Sequence, residues 1–220
     1  MSYKTIRNRT EASFTEKKSE FIGYISPAET EEEAIGFINE IRAMHRKATH
    51  NCYAYILRNN NTGRHSDDGE PGGTAGMPIY DVLSKNGITD VVCVVTRYFG
   101  GILLGTGGLV HAYSKGASMA LANAEIVNME VADSLKISCD YTMYGIVNSV
   151  LPEFESIIRD TEFTDSVCIY LDVKTELTES LTAKLIDRCN GKVKIEKLKS
   201  GYVAVSYTHL RAHETRGNLV

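Results

Sequence analysis

The sequence predicts an α+β protein of two domains, and three observations carry that prediction. An apolar run, DVVCVVTRY (Asp90–Tyr98), enters a glycine-dense segment, RYFGGILLGTGGLVHAYSKGA (Arg97–Ala117), which continues as a small-residue helical run. A polar stretch of unusual length, RNNNTGRHSDDGEPGGTAG (58–76), interrupts the first half. After a change of character at Asn128–Ser134, the pattern becomes a regular β-α-β-β-α-β series, the ferredoxin-like split motif. Domains are therefore expected at 1–130 and 134–205.

In chain order, residues 5–26 read as one or two strands, TIRN and SEFIGYIS, with a charged turn at Glu16–Lys18. A helix follows, with Thr30 as N-cap and Glu33 as its capping-box partner. Ala34, Ile38, Ile41 and His45 fall on one face of it, opposite a Glu-rich one. HNCYAYIL (His50–Leu57) is a strand, 58–76 a loop, and 75–86 a short helix ending near Gly87, with Pro78 tolerated in its first turn. The run at 90–98 is expected to close the sheet as a buried strand. In the second half, SLKISCDY, RDTEF and SVCIYLDV are strands, the last two joined at Thr164–Asp165. YGIVNSVLPEFESII is a helix with Ile146, Val150 and Phe154 on one face, kinked or split by Pro152. TELTESLTAKLIDRCNG is a helix with Leu177, Leu181 and Leu185 inward and Gly191 as C-cap. KVKIEKLKSGYVAVS closes the unit as a strand or hairpin. Residues 206–220, SYTHLRAHETRGNLV, lack apolar periodicity and read as a non-native tail.

The chain has 220 residues, 43% hydrophobic and 24% charged, with a net charge of −4. That balance excludes a global field drawing the protein onto nucleic acid or anionic membrane, while leaving room for a local basic patch. The five cysteines, 52, 93, 139, 168 and 189, include no CxxC pair and read as reduced thiols of a cytoplasmic protein. No apolar run approaches the length of a membrane span.

A strand, glycine loop and helix in that order aim backbone N–H groups at an anion. The same glycines would also serve a tight turn and close helix–sheet packing, and the spacing is neither GxGxxG nor GxxxxGK[ST]. Asp67, Asp68 and Glu70 form a carboxylate cluster of the kind that holds a hard cation or supplies a general base. An acidic turn with Gly and Pro is equally a surface turn. Lys192, Lys194, Lys197 and Lys199 could make a phosphate-contacting edge, or keep the outer face of a sheet soluble. SVCIYLDV does not match the aromatic consensus of RNA-recognition sheets.

The pieces HRKATHNCYAYI, SDDGEPGGTAGMPI and RYFGGILLGTGGLVHAYSKGA resemble, in order and spacing, the signature of the YigZ/IMPACT family. The resemblance covers about residues 5–203. It implies an N-terminal α/β domain of the type shared by a ribosomal protein domain, elongation factor G and the GHMP kinases, followed by a ferredoxin-like domain. It also implies regulation of translation, since eukaryotic relatives are linked to translational control through a partner of a stress kinase. Many relatives carry Arg where His111 stands, and Arg supplies a fixed charge for phosphate that a histidine does not.

The expectation that follows is a translation-associated regulatory or binding protein contacting RNA, the ribosome or a translation factor. Arg97, Tyr98, Gly100, Gly101, Gly105, Gly107, Gly108 and His111 form its anion- or nucleic-acid-binding contact. His50, Asp67, Asp68, Glu70 and Thr74 are functional-loop candidates, and Lys192 and Lys194 a basic edge. The alternatives are an enzyme binding a phosphorylated small molecule at the glycine loop, and a protein-interaction module without nucleic-acid contact. No cofactor, resident metal, catalytic residue, membrane association or sequence-specific DNA binding is expected.

Overall fold

A computed structural model describes residues 2–59 and 62–205. Contacts divide them into two compact units, one of residues 3–128 and one of Ser2 with 129–205. The 206–220 tail lies outside the described residues. Among the described residues no helix is long and apolar enough to cross a membrane.

The first unit contains β1 (Tyr3–Ile6), β2 (Thr10–Glu16), β3 (Ser19–Pro27), α1 (Glu31–Met44), β4 (His50–Leu57), β5 (Thr62–Ser66), α2 (Gly76–Lys85), β6 (Val91–Tyr98) and α3 (Gly105–Asn123). Five strands form an antiparallel sheet in the order β2-β3-β6-β4-β5. The strand expected to close the sheet therefore lies in its middle. Its residues 91–97 are all buried, which an edge strand would not achieve. Thr10–Glu16, not foreseen as a separate strand, pairs with β3 across the turn at Lys17 and Lys18, both at positive φ. The expected loop 58–76 also yields a strand, since β5 returns along β4 from Tyr53↔Ser66 to Leu57↔Thr62.

Alternation along the strands serves two layers. Phe21, Ile25, Cys52, Ala54, Cys93 and Val95 pack with α2 and α3, while Tyr24, Tyr55, Val92 and Val94 pack with α1. Thr30 caps α1 as expected, accepting from Glu33 N–H at 3.2 Å. The Glu33 carboxylate reaches back to the N–H of Glu29, at 2.7 Å, instead of that of Thr30. The buried face of α1 is Ala34, Phe37, Ile38 and Ile41, and His45 is its C-cap.

The second unit begins inside β7 (Ile126–Cys139), one continuous strand that includes the stretch read as a boundary. It continues with α4 (Tyr141–Val150), β8 (Ile157–Phe163), β9 (Val167–Lys174), α5 (Thr178–Arg188) and β10 (Val193–Val205). Its strand order is β10-β7-β9-β8. Pro152 does split the helix: α4 stops at Val150 and a 3₁₀ turn at Leu151–Phe154 ends on Glu155 at φ 50°. Leu135, Ile137, Ile169 and Leu171 form the core with Val147, Leu181 and Leu185, with Leu177 packed against its edge. Gly191, at φ 74°, turns the chain after α5, its N–H bonding to Ile186 O at 2.8 Å. All five cysteines are free thiols, and only Cys168 is not fully buried.

Candidate functional site

Strand periodicity decides which residues of β6 meet. Arg97 follows Cys93 and Val95 toward α3, whereas Tyr98 falls on the α1 side. Tyr98 therefore leaves the expected contact. Its hydroxyl lies 2.9 Å from His45 Nδ1, and Tyr24 OH lies 2.7 Å from the other ring nitrogen.

Arg97 is 5% exposed. Its Nη1 donates to Glu70 Oε1 at 2.6 Å, and Tyr113 OH donates to the same oxygen at 2.8 Å. Nη2 is 3.5 Å from Ser19 Oγ, and the rings of Phe21 and Phe99 each stand 5.5 Å from the guanidinium carbon. The third guanidinium nitrogen, Nε, is buried and has no hydrogen-bond partner among the described residues. A donor buried without a partner is rare and costs free energy that the surrounding structure must offset. His50, opposite Arg97 in the sheet, has Nδ1 2.8 Å from the Asp68 carbonyl oxygen. A carbonyl only accepts, so that nitrogen carries the proton and Nε2, 3.9 Å from Glu70 Oε1, faces the carboxylate.

Beside these groups lies a hollow of about 420 Å³. His50 and Arg97 line it from the sheet, Glu70 and Pro71 from the loop before α2, and Leu104, Gly105, Thr106 and Leu109 from the start of α3. Thr49, with Phe99 and Leu103, which are 46% and 81% exposed, completes the lining. No side chain caps α3 and no acidic residue stands in its first turn, so its leading N–H groups are unclaimed by side chains.

The glycines divide by role. A Cβ on Gly100 would sit 1.9 Å from the Lys18 carbonyl oxygen, so the loop can pass the β2–β3 turn only as glycine. Gly100→Ala is expected to cost about 1–3 kcal/mol, read by urea unfolding. Gly105 opens α3 at φ 75°, and Gly101 is likewise at positive φ. Gly108 packs against Leu104, while a Cβ on Gly107 would meet open space. His111 lies in the second turn of α3, exposed, and does not line the hollow.

The acidic cluster does not converge. Asp67 accepts from the N–H groups of Gly73, Ala75 and Gly76 at 2.8–3.0 Å, shaping the loop into α2. Burial opposes its ionisation, but those N–H groups prevail and hold the carboxyl below its ordinary range. Asp68 takes Arg42 at 2.9 Å and the Asn51 N–H at 2.7 Å. Glu70 turns into the core, and Thr74 closes a turn on the Pro71 carbonyl at 2.7 Å. Among the described residues no group of carboxylate, thiol and imidazole side chains is placed to hold a metal ion. Burial also pushes the Cys52 thiol and the Tyr113 hydroxyl far up, so both stay protonated and neither offers a nucleophile.

The expected basic edge is partly neutralised. Lys194 pairs with Glu196, and Lys197 with the buried Asp133 at 2.9 Å. A different set of cations gathers near the hollow. Because Glu20 stands opposite Tyr98 and His50 opposite Arg97, the β2–β3 turn, the α1–β4 connection and loop 99–104 emerge at one end of the sheet. That end carries Lys17, Lys18, Arg46 and Lys47, all exposed and without an ion-pair partner among the described residues. Glu16 and Glu20 are the carboxylates beside them. The lysine and arginine pairs are visible in the sequence, but only the antiparallel register brings them together.

Residues 17–121 match the family described as Impact N-terminal domain, and 137–192 a domain of unknown function, DUF1949. The chain is 36% identical to the IMPACT family member YvyE of Bacillus subtilis over 97% of this chain and 99% of that one. It is 32% identical to the IMPACT family member YigZ of Escherichia coli, over 81% and 89% respectively. A crystal structure of a hypothetical protein superposes with a TM-score of 0.59 at 29% identity, covering 90% of this chain and 98% of that one.

Proposed function

The chain belongs to the IMPACT family, and from that premise we propose that it is a translation-associated protein that binds ribosomal RNA through its N-terminal domain. The observation that carries this reading is the cationic end of the sheet, where the connections bearing Lys17, Lys18, Arg46 and Lys47 emerge beside the loop that leads from Arg97 into the uncapped start of α3. Mobile cations at the rim would neutralise the phosphate backbone, and the helix N-terminus would take one phosphate. The proposal keeps domains of 1–130 and 134–205. It assigns the first to the type shared with elongation factor G and the GHMP kinases, and the second to the ferredoxin-like type. The strand order β10-β7-β9-β8 supports the latter.

Co-sedimentation with ribosomes across a salt series tests the reading. Reversing the four cations (K17E, K18E, R46E, K47E) is expected to weaken binding more than tenfold and to flatten its salt dependence. Thr106→Glu places a carboxylate where a phosphate would sit, and is expected to weaken binding about tenfold. It should leave stability unchanged or raised, because a first-turn carboxylate favours the helix dipole. Unchanged binding by both variants overturns the reading. Binding lost instead in K192E/K194E moves the contact to β10.

A further inference from the structure

We propose that the second unit carries a phosphate-binding cleft of its own, built around Arg159 and independent of RNA binding by the first unit. Alternation along β7 and β9 sorts the sheet of this unit into two faces. Leu135, Ile137, Ile169 and Leu171 pack with Val147 of α4 and with Leu181 and Leu185 of α5. Ser134, Lys136, Tyr170 and Asp172, paired across the two strands, share the opposite face. On β8, Ile158 stands opposite Leu171 and Asp160 opposite Tyr170, so Arg159 between them is the extra residue of a β-bulge. The bulge brings its guanidinium to the second face, where Nε donates to Asp172 Oδ2 at 2.6 Å.

Asp172 is buried, and Ser134 Oγ donates to its other carboxylate oxygen at 2.6 Å. Both oxygens are therefore taken, and the acid serves to hold the arginine. The Arg159 side chain is half exposed, and neither of its Nη groups has a partner among the described residues. It lines a cleft of about 660 Å³ together with Ser134, Tyr170, Asp172, Lys199 and Tyr202. Asp160 and Glu162 of β8 do not line it. A guanidinium tied at Nε keeps its two Nη groups as a planar fork, which matches two oxygens of one oxyanion. Lys199, exposed and unpaired among the described residues, supplies the net charge that the neutral Arg159–Asp172 pair lacks. A phosphate has oxygens for the fork and for the lysine at once, whereas the fork alone uses both oxygens of a carboxylate. An arginine kept only to neutralise Asp172 would need neither the bulge nor a cleft.

NMR titration of the full chain with uridine monophosphate, following backbone amides and arginine Nε–H groups, tests this. Saturable shifts are expected at Ser134, Arg159 and Lys199, with uridine giving none at the same concentrations. Arg159→Lys keeps the charge but loses the fork, and should weaken binding about tenfold. Lys199→Ala, at an exposed position, should weaken it about threefold. An unphosphorylated uridine tetranucleotide, which has only internal phosphodiesters, distinguishes the source of the phosphate. Tighter binding of the monophosphate assigns the cleft to a free phosphorylated molecule, and tighter binding of the tetranucleotide to an RNA backbone. No saturable shift with either probe overturns the proposal, as does uridine binding equally well or binding unchanged in both variants. If Arg159→Lys fails to fold, unchanged binding by Lys199→Ala overturns it alone. The variant with Lys17, Lys18, Arg46 and Lys47 reversed should keep these shifts, so failure of ribosome binding and failure of this cleft are read separately.

Discussion

Arg97→Met is expected to destabilise the 3–128 unit by about 3–5 kcal/mol, the cost of leaving one partner of a buried ion pair uncompensated. The side chains of Arg97 and Glu70 are 6% and 4% exposed, so water does little to soften the loss. Methionine can fill the apolar space between Phe21 and Phe99, which confines the damage to charge and hydrogen bonding. In Arg97→Met/Glu70→Gln the surviving amide oxygen can still accept from Tyr113 OH, and most of the stability should return. Urea unfolding of the two single variants and the double variant gives the coupling directly. A double variant as unstable as Arg97→Met would mean that Arg97 acts through packing. Recovery in the double variant would mean that the ion pair is kept for its site, since a well-packed neutral pair then holds the fold as well.

Local chemistry made much of the fold legible. The Thr30 cap, the His50–Leu57 strand, the split at Pro152 and the inward Leu181 and Leu185 all follow from spacing and side-chain type within one element. What escaped depends on partners distant in sequence. β5 is polar and glycine-bearing, and it is a strand because β4 offers it an edge. β6 is central because β3 and β4 both pair with it. In the site, Arg97 and Glu70 sit in different segments of the sequence, and the ion pair between them spans 27 positions. Adjacency suggests a shared contact for Tyr98 and Arg97, but alternation sends neighbours on a strand to opposite faces. The period-2 pattern of β6 carried that signal. The Lys17–Lys18 and Arg46–Lys47 pairs carried none, because nothing local says that two connections share one end of a sheet.

Asp133→Ala is expected to cost the 129–205 unit about 3 kcal/mol, and the loss should depend on pH. The residue is 1% exposed on β7 and ties three segments together. Its carboxylate accepts from Thr175 at 3.0 Å and Thr178 at 2.8 Å before and at the start of α5, and from Ser200 at 2.8 Å and Lys197 at 2.9 Å on β10. Burial alone would raise its pKa, but Lys197, Ser200, Thr178 and Thr175 outweigh burial and bring it down to about 2. A carboxyl depressed in the folded state stabilises fully above its unfolded value near 4 and loses that contribution as pH falls toward 2. The stability difference between the parent chain and Asp133→Asn should therefore be constant from pH 7 to 5 and shrink between pH 4 and 2. Urea titrations followed at the amides of Ile169 and Val94 separate the two units. A difference that stays flat to pH 2 would show that the hydroxyl and lysine contacts hold the protonated acid as well as the carboxylate. A difference equally large at Val94 would mean that the hub supports more than its own sheet.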